Sequence, residues 1–201
     1  MPARSQDAIL ALAFLVAIIG LTPGPLSLMV FASGSQIGLR RSLPFVAGGA
    51  LGYAIIVMMA CVSLAGALQN LPVLIGPSKI LAALILVWFS WKIASSGMLT
   101  PRRPVSSRAM FVESCTLQAV NPKAWAAGLA ITTSAMDGID PLHSAATMGA
   151  VVFAVIFAAL LVWAAGGQGL SRFLACDLRR RTFNFGMAGA LLGVGLPGLV
   201  T

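Results

Sequence analysis

Residues 8–33 read AILALAFLVAIIGLTPGPLSLMVFAS, a stretch of 26 residues that contains no charged side chain. An α-helix of about 20 apolar residues spans the hydrocarbon core of a bilayer, so this stretch is long enough to cross a membrane. It is also interrupted, because Thr22-Pro23-Gly24-Pro25 places two prolines in its second half. Proline removes a backbone donor and clashes with the preceding turn, so the stretch predicts a broken membrane helix.

The rest of the chain has the same apolar character. Of its 201 residues, 59% are hydrophobic and 9% are charged, against about a quarter charged in a soluble domain. Further apolar stretches lie near 44–67, 78–98, 112–135, 143–166 and 183–200, and each is too long for a barrel strand. We therefore predict an all-α integral membrane protein, a single membrane domain over residues 1–201 with six transmembrane helices.

The charges fix an orientation. Nine of the ten arginines fall after the first, third and fifth spans: Arg40, Arg41, Arg102, Arg103, Arg108, Arg172, Arg179, Arg180 and Arg181. The opposite side carries Arg4 and the acidic Asp137 and Asp140. By the positive-inside rule the arginine loops face the cytoplasm, so both termini are predicted to be periplasmic. Since the net charge of +8 lies between apolar stretches, it does not indicate nucleic-acid binding.

Two halves of the chain repeat each other weakly. Pro23 and Pro122 lie 99 residues apart, and the segments 49–53 (GALGY) and 149–153 (GAVVF) lie 100 residues apart. We predict a first repeat at about 8–98, a cytoplasmic linker at about 99–111 and a second repeat at about 112–200. With three spans each, the repeats would enter the membrane from opposite sides, and the first and fourth helices would be broken. Transporters of this architecture bind substrate between two broken helices.

The first break reads as the start of a new half-helix. Thr22 followed by Pro23 has the pattern of an N-cap residue before a proline at the first helical position. Because Pro23 and Pro25 lack N–H groups, the carbonyls of Ile19 and Leu21 are predicted to lose their helical partners. Backbone left unsatisfied in this way must face protein or a hydrated cavity rather than lipid.

The second break, Asn121-Pro122-Lys123, has the same pattern with Asn121 as the cap, and it releases the carbonyl of Gln118. Two half-helix N-termini, each with free N–H groups and a partial positive charge, would then meet at mid-membrane. Lys123 adds a full positive charge, so the pattern predicts a site for an anion such as a carboxylate. Two other interpretations stay open: each proline is a tolerated kink, and Gln118 either shares the cavity or hydrogen-bonds a neighbouring helix.

Other features point to packing rather than chemistry. Gly48-x-x-x-Gly52 and Gly189-x-x-x-Gly193 predict close helix contacts, within the chain or in a homodimer. The three cysteines have neither a disulfide pattern nor metal-ligand spacing, so no metal site and no cofactor are predicted. The spans lack paired aspartates and Ser–His pairs, which argues against an intramembrane enzyme.

These motifs resemble those of the lysine exporter family, the LysE/RhtB-type amino-acid translocators. The resemblance rests on Thr22-Pro23-Gly24-Pro25, Gly38-Leu39-Arg40-Arg41-Ser42-Leu43-Pro44, the glycines 48, 49 and 52, Trp91-Lys92-Ile93 and the segment 117–125 (LQAVNPKAW). It implies export of amino acids or close derivatives across the bacterial inner membrane, driven by the proton or ion gradient. With Gln118 from the residue pattern, the predicted substrate-binding residues are Thr22, Pro23, Gly24, Pro25, Gln118, Asn121, Pro122 and Lys123.

One position departs from the family pattern. Many relatives have asparagine directly after the Pro-Gly-Pro segment, whereas this chain has Leu26 and then Ser27. The usual polar contact at the first half-helix is therefore missing. The alternative to a transporter is a structural or assembly partner that holds another membrane protein through its glycine-rich helix faces.

Overall fold

The computed structural model describes residues 2–64, 106–135 and 141–195, together with the helical residues Leu84, Val87 and Trp91. Within those ranges the chain forms α-helices and short 3-10 turns, and no strand occurs there. The helices are α1 (Pro2–Leu21), α2 (Pro25–Ile37), α3 (Leu39–Leu64), α4 (Ser107–Leu117), α5 (Pro122–Ala135), α6 (Pro141–Leu170) and α7 (Asp177–Gly195). The all-helical prediction is confirmed for this part of the chain.

Two described helices are long and apolar enough to cross a membrane. They are Leu39–Val62, with a mean hydropathy of 2.2, and Ala145–Leu170, with a mean hydropathy of 2.6. Asp7–Leu21 and Pro25–Ile37 form a third candidate if they count as one span, bent by 64° at its break. The predicted span 78–98, apart from Leu84, Val87 and Trp91, and the end of the span 183–200 lie outside the described residues. Six spans therefore stay a prediction.

Several helices begin earlier than the apolar pattern predicts. Helix α3 begins at Leu39, so Arg40 and Arg41 lie in its first turn rather than in a loop. Helix α4 begins at Ser107, where the Ser106 hydroxyl caps the helix by accepting from the Ala109 N–H at 3.2 Å. Hydropathy marks only the part of a helix that lipid surrounds, whereas capping residues determine where the helix starts.

The core lies between α3 and α6. Helix α6 packs against α1, α2 and α3, and α3 also packs against α4 and α5. Phe45, Val57, Val152, Ile156 and Leu160 from these two helices are each at most 2% exposed. The two longest described helices therefore form the centre against which both broken helices pack.

Glycines allow the closest of these helix contacts. A Cβ atom on Gly34 of α2 would collide with the Ala164 carbonyl of α6, and one on Gly167 of α6 would collide with the Phe31 carbonyl of α2. Gly48 meets the backbone of α4 in the same way, through the Phe111 carbonyl. Such contacts need a residue without a side chain, because backbones cannot otherwise approach so closely.

The two predicted glycine motifs differ in their surroundings. Gly48 and Gly52 pack on α4, which confirms close packing within the chain for that motif. A Cβ atom on Gly189 or Gly193 would meet no atom within 4 Å among the described residues. A homodimer through that second face stays a prediction.

Candidate functional site

The first break lies between α1 and α2, but the new helix begins two residues later than predicted. Its N-cap is Gly24, with an extended backbone (φ −161°, ψ 170°), and Pro25 takes the first helical position. The predicted cap at Thr22 with Pro23 as the first helical residue is therefore wrong. A residue before proline is disfavoured in the α conformation, so Pro25 keeps Gly24 extended and prevents an earlier start.

Thr22 satisfies part of the backbone that the break exposes. Its hydroxyl donates to the Ile19 carbonyl at 2.7 Å. The prediction that this carbonyl lacks a partner is therefore wrong. The next carbonyl, of Gly20, accepts from the indole Nε1–H of Trp163 on α6 at 3.1 Å. The break is therefore held by its own hydroxyl and by a side chain from the second half of the chain.

The second break, between α4 and α5, follows the prediction more closely. Asn121 caps α5, since its Oδ1 accepts from the Lys123 backbone N–H at 3.2 Å, and the helix begins at Pro122. The Gln118 carbonyl is not released, because a 3-10 turn lets it accept from the Asn121 N–H at 3.1 Å. The Ala119 carbonyl accepts from the Trp125 indole at 2.9 Å.

A buried pair of amides follows from this cap. Because Asn121 Oδ1 accepts from the backbone of α5, its Nδ2 must point away, and it donates to Gln118 Oε1 at 2.8 Å. Gln118 and Asn121 are 0% and 1% exposed. The Nε2 atom of Gln118 then has no hydrogen-bond partner among the described residues. The structure shows neither of the two roles predicted for Gln118. Its hydrogen bond lies within the break rather than to a neighbouring helix, and it is not among the residues that line the cavity described below.

Lys123 joins the two breaks. Its Nζ donates to the Thr22 carbonyl at 2.6 Å and to the Thr22 hydroxyl oxygen at 2.8 Å. The side chain reaches these atoms over Gly24, where a Cβ would lie 2.9 Å from Lys123 Cδ. The ammonium therefore lies at the first break instead of extending toward a membrane surface. The predicted convergence of the two breaks is confirmed in this contact.

A cavity with about 270 Å³ of empty space, counted with its open side, lies where the breaks meet. Its polar lining comes from Ser27, Tyr53, Asn121 and Lys123. Its apolar lining comes from Ile19, Leu26, Ile156 and Leu160, and Gly20 and Gly24 complete the wall.

The electrostatics of the cavity are one-sided. Lys123 is the single ionisable cation among the lining residues, and no carboxylate is among them. The N-cap of α2 is Gly24, which has no side chain that could cap the helix. The N–H groups of the first turn of α2 therefore stay available to an anion. At α5 the Lys123 N–H is already taken by Asn121. The predicted pair of open N-termini is thus reduced to one, that of α2.

The predicted site residues fall into two groups. Gly24, Asn121 and Lys123 line the cavity. Thr22 and Gln118 lie behind them and hold them by hydrogen bonds. The remaining three are the prolines of the breaks: Pro23 in the first, and Pro25 and Pro122 as the first residues of α2 and α5.

Residue patterns alone missed three participants. Tyr53 lines the cavity, and its hydroxyl lies 3.5 Å from the Lys123 carbonyl. It is the only tyrosine of the chain, and a lone hydroxyl in an apolar span was the signal that could have identified it. Ser27 supplies a hydroxyl to the cavity lining one residue after Leu26, the position at which many family members carry asparagine. Trp163 carried no local signal, since its partner is 143 residues away.

No protein-family model matches this chain, and no solved structure matches it. Curated relatives do match. A cysteine/O-acetylserine efflux protein of Escherichia coli O1:K1 / APEC is 34% identical over 112 residues, which cover 53% of this chain and 54% of that protein. Proteins of the same name from Salmonella choleraesuis (strain SC-B67) and Salmonella typhimurium (strain LT2) are 34% identical over 80 residues, or 39% of this chain and 40% of theirs.

The chain thus spans about half the length of the curated relatives it matches, or less. The relatives are named for efflux of amino acids and not for catalysis, in agreement with the prediction of a transporter rather than an enzyme. These matches confirm the resemblance to amino-acid exporters that the motifs indicated, at 34% identity over about half of the chain or less.

Proposed function

We propose that this protein exports small amino acids or close derivatives across the bacterial inner membrane as a secondary transporter. The observation that carries this proposal is the Lys123 ammonium of the second break, hydrogen-bonded to Thr22 of the first at 2.6 and 2.8 Å. Two helices interrupted at one cavity are the arrangement in which transporters hold a substrate. The relatives' names add cysteine and O-acetylserine as the first compounds to test.

The packing of the helices supports an alternating-access mechanism between two inverted repeats. Helix α3 of the first half packs on α4 and α5 of the second, and α6 of the second packs on α1 and α2 of the first. This exchange of partners is what a two-fold relation between the halves would produce. The cavity is lined from both halves, so rocking one against the other would open it to alternate sides.

The cavity suggests how an amino acid would lie in it. The substrate carboxylate would accept hydrogen bonds from the open N-terminus of α2 and from the Ser27 hydroxyl. A small side chain would lie against Leu26, Ile156 and Leu160. Leu26, where many family members carry asparagine, makes this wall apolar and favours a compact, weakly polar substrate.

The energy source in this proposal is the proton or ion gradient, and no metal or cofactor takes part. The lining residues include no carboxylate that could carry a proton. Lys123 is the lining residue that could bind and release one, because its amine lies between the two breaks.

The proposal is tested by overexpressing the protein, challenging cells with a panel of amino acids and dipeptides, and measuring resistance and efflux. In everted vesicles, radiolabelled substrate should accumulate with a gradient, and Lys123→Gln should lower that uptake at least tenfold. Lys92→Gln, a lysine near a predicted membrane interface and outside the described residues, is the matched control and should retain uptake.

Two outcomes would contradict the proposal at different points. Full, gradient-coupled uptake by Lys123→Gln would remove this lysine from the mechanism. A complete absence of amino-acid efflux by the wild-type protein, together with co-purification of another membrane protein that Gly189→Leu abolishes, would favour the assembly-partner alternative.

A further inference from the structure

Two acceptor atoms lie side by side at the first break. The Thr22 carbonyl is one, and the Thr22 hydroxyl oxygen is the other. Because this hydroxyl donates its proton to the Ile19 carbonyl at 2.7 Å, only its lone pairs are left for a further partner. The pair therefore forms a small subsite that accepts hydrogen bonds from a primary ammonium and offers none in return.

In the structure this subsite is filled by the protein itself. Lys123 Nζ donates to both Thr22 oxygens, at 2.6 and 2.8 Å. No carboxylate lies among the residues that line the cavity, so the described lining offers a substrate ammonium no acidic partner. The acceptors best suited to it are the two that Lys123 occupies. Two ammonium groups cannot share them, because like charges repel strongly away from water.

The path of the Lys123 side chain depends on Gly24. A Cβ atom at Gly24 would lie 2.9 Å from Lys123 Cδ and 3.2 Å from Nζ, closer than ordinary van der Waals contact allows. The extended backbone of Gly24, with φ near −161°, is one that alanine also adopts. Alanine at this position would therefore displace the lysine side chain without straining the backbone.

We propose that the Thr22 oxygen pair is the subsite for the substrate's primary ammonium, and that Lys123 is a tethered competitor that fills it when no substrate is bound. This rests on the proposed function and deepens it. Substrate binding then requires its ammonium to displace that of Lys123, and the displaced lysine becomes available to the substrate carboxylate. The site exchanges one cation for another.

Three ligands separate this role from that of a simple carboxylate anchor: cysteine, cysteamine, which lacks the carboxylate, and 3-mercaptopropionate, which lacks the amine. Their affinities would be measured calorimetrically on the purified full chain under reducing conditions. We expect Lys123→Met and Gly24→Ala each to bind cysteamine at least tenfold more tightly than the wild type does. Thr22→Val, placed in the Lys123→Met background, should reverse that gain. As a control for folding, every variant must elute from a size-exclusion column at the same volume as the wild type does.

The proposal is overturned if Lys123→Met binds cysteamine no more tightly than the wild type does. A tenfold loss of 3-mercaptopropionate affinity in the same variant would add to that result, because it is what a simple carboxylate anchor predicts. Absence of amine binding in every variant overturns it as well. The proposed function fails separately: if Lys123→Met gains cysteamine affinity while cells export no amino acid, the subsite stands and the transport assignment does not.

Discussion

Asn121 connects the second break to the cavity through three hydrogen bonds of different kinds. Its side-chain oxygen caps α5, its side-chain nitrogen holds Gln118, and its backbone N–H closes the 3-10 turn. The cap sets the orientation of both buried amides, since reversing either would place two donors or two acceptors together. A single residue thus fixes the position of Lys123 and of the cavity wall.

Asn121→Ala should lower the stability of the folded protein by about 2–4 kcal/mol. The loss combines about 1 kcal/mol for the cap with about 1–3 kcal/mol for a buried Gln118 amide oxygen left without a partner. The thermal midpoint of the purified protein, followed by tryptophan fluorescence, measures it. Thr116→Ala is the control, because that exposed hydroxyl bonds only to carbonyls of its own helix and should change stability little. Equal midpoints for the two variants would contradict the role of Asn121.

Ser27 is the residue at which stability and function should separate. Its hydroxyl lines the cavity and, within the described part of the chain, makes no hydrogen bond. Ser27→Ala should therefore leave the thermal midpoint unchanged, while the apparent affinity for an exported amino acid falls several-fold because a carboxylate contact is lost. Vesicle uptake at graded substrate concentrations measures this. Unchanged affinity would exclude Ser27 from the binding mode.

At the scale of the helices, proline shows both how far the sequence predicts the site and where the prediction fails. At Asn121-Pro122 a single proline follows a single capping residue, and the helix starts where the pattern predicts. At Thr22-Pro23-Gly24-Pro25 two prolines compete, and Pro25 prevails because it holds Gly24 extended. The position of each break was thus readable from local sequence. The contacts across the breaks were not, since the Lys123–Thr22 pair joins residues 101 positions apart.

The crossing of α2 and α6 should tolerate no side chain at its glycines. Gly34→Ala and Gly167→Ala would each press a Cβ into a backbone carbonyl of the facing helix, which cannot move as a flexible side chain can. We expect each to destabilise the protein by about 1–3 kcal/mol. Gly189→Ala, where a Cβ meets nothing within 4 Å among described atoms, should be neutral or up to about 1 kcal/mol stabilising through helix propensity. A thermal midpoint of Gly34→Ala or Gly167→Ala at or above that of Gly189→Ala would contradict this packing.

For the whole molecule, the arginines make an orientation prediction that a native thiol can test. Cys176 is exposed and lies between Arg172 and Arg179, in a segment that the charge pattern places in the cytoplasm. Cys61 is buried and Cys115 is partly buried in α4, so both are replaced by serine in the labelled protein. A membrane-impermeant maleimide should therefore label the protein in everted vesicles and leave it unlabelled in intact spheroplasts. Cys176→Ser should abolish the signal, and Asp137→Cys in that background should restore it on the opposite side only. Labelling of Cys176 in intact spheroplasts would contradict the predicted topology. The direction of transport proposed for the cavity would then be contradicted as well.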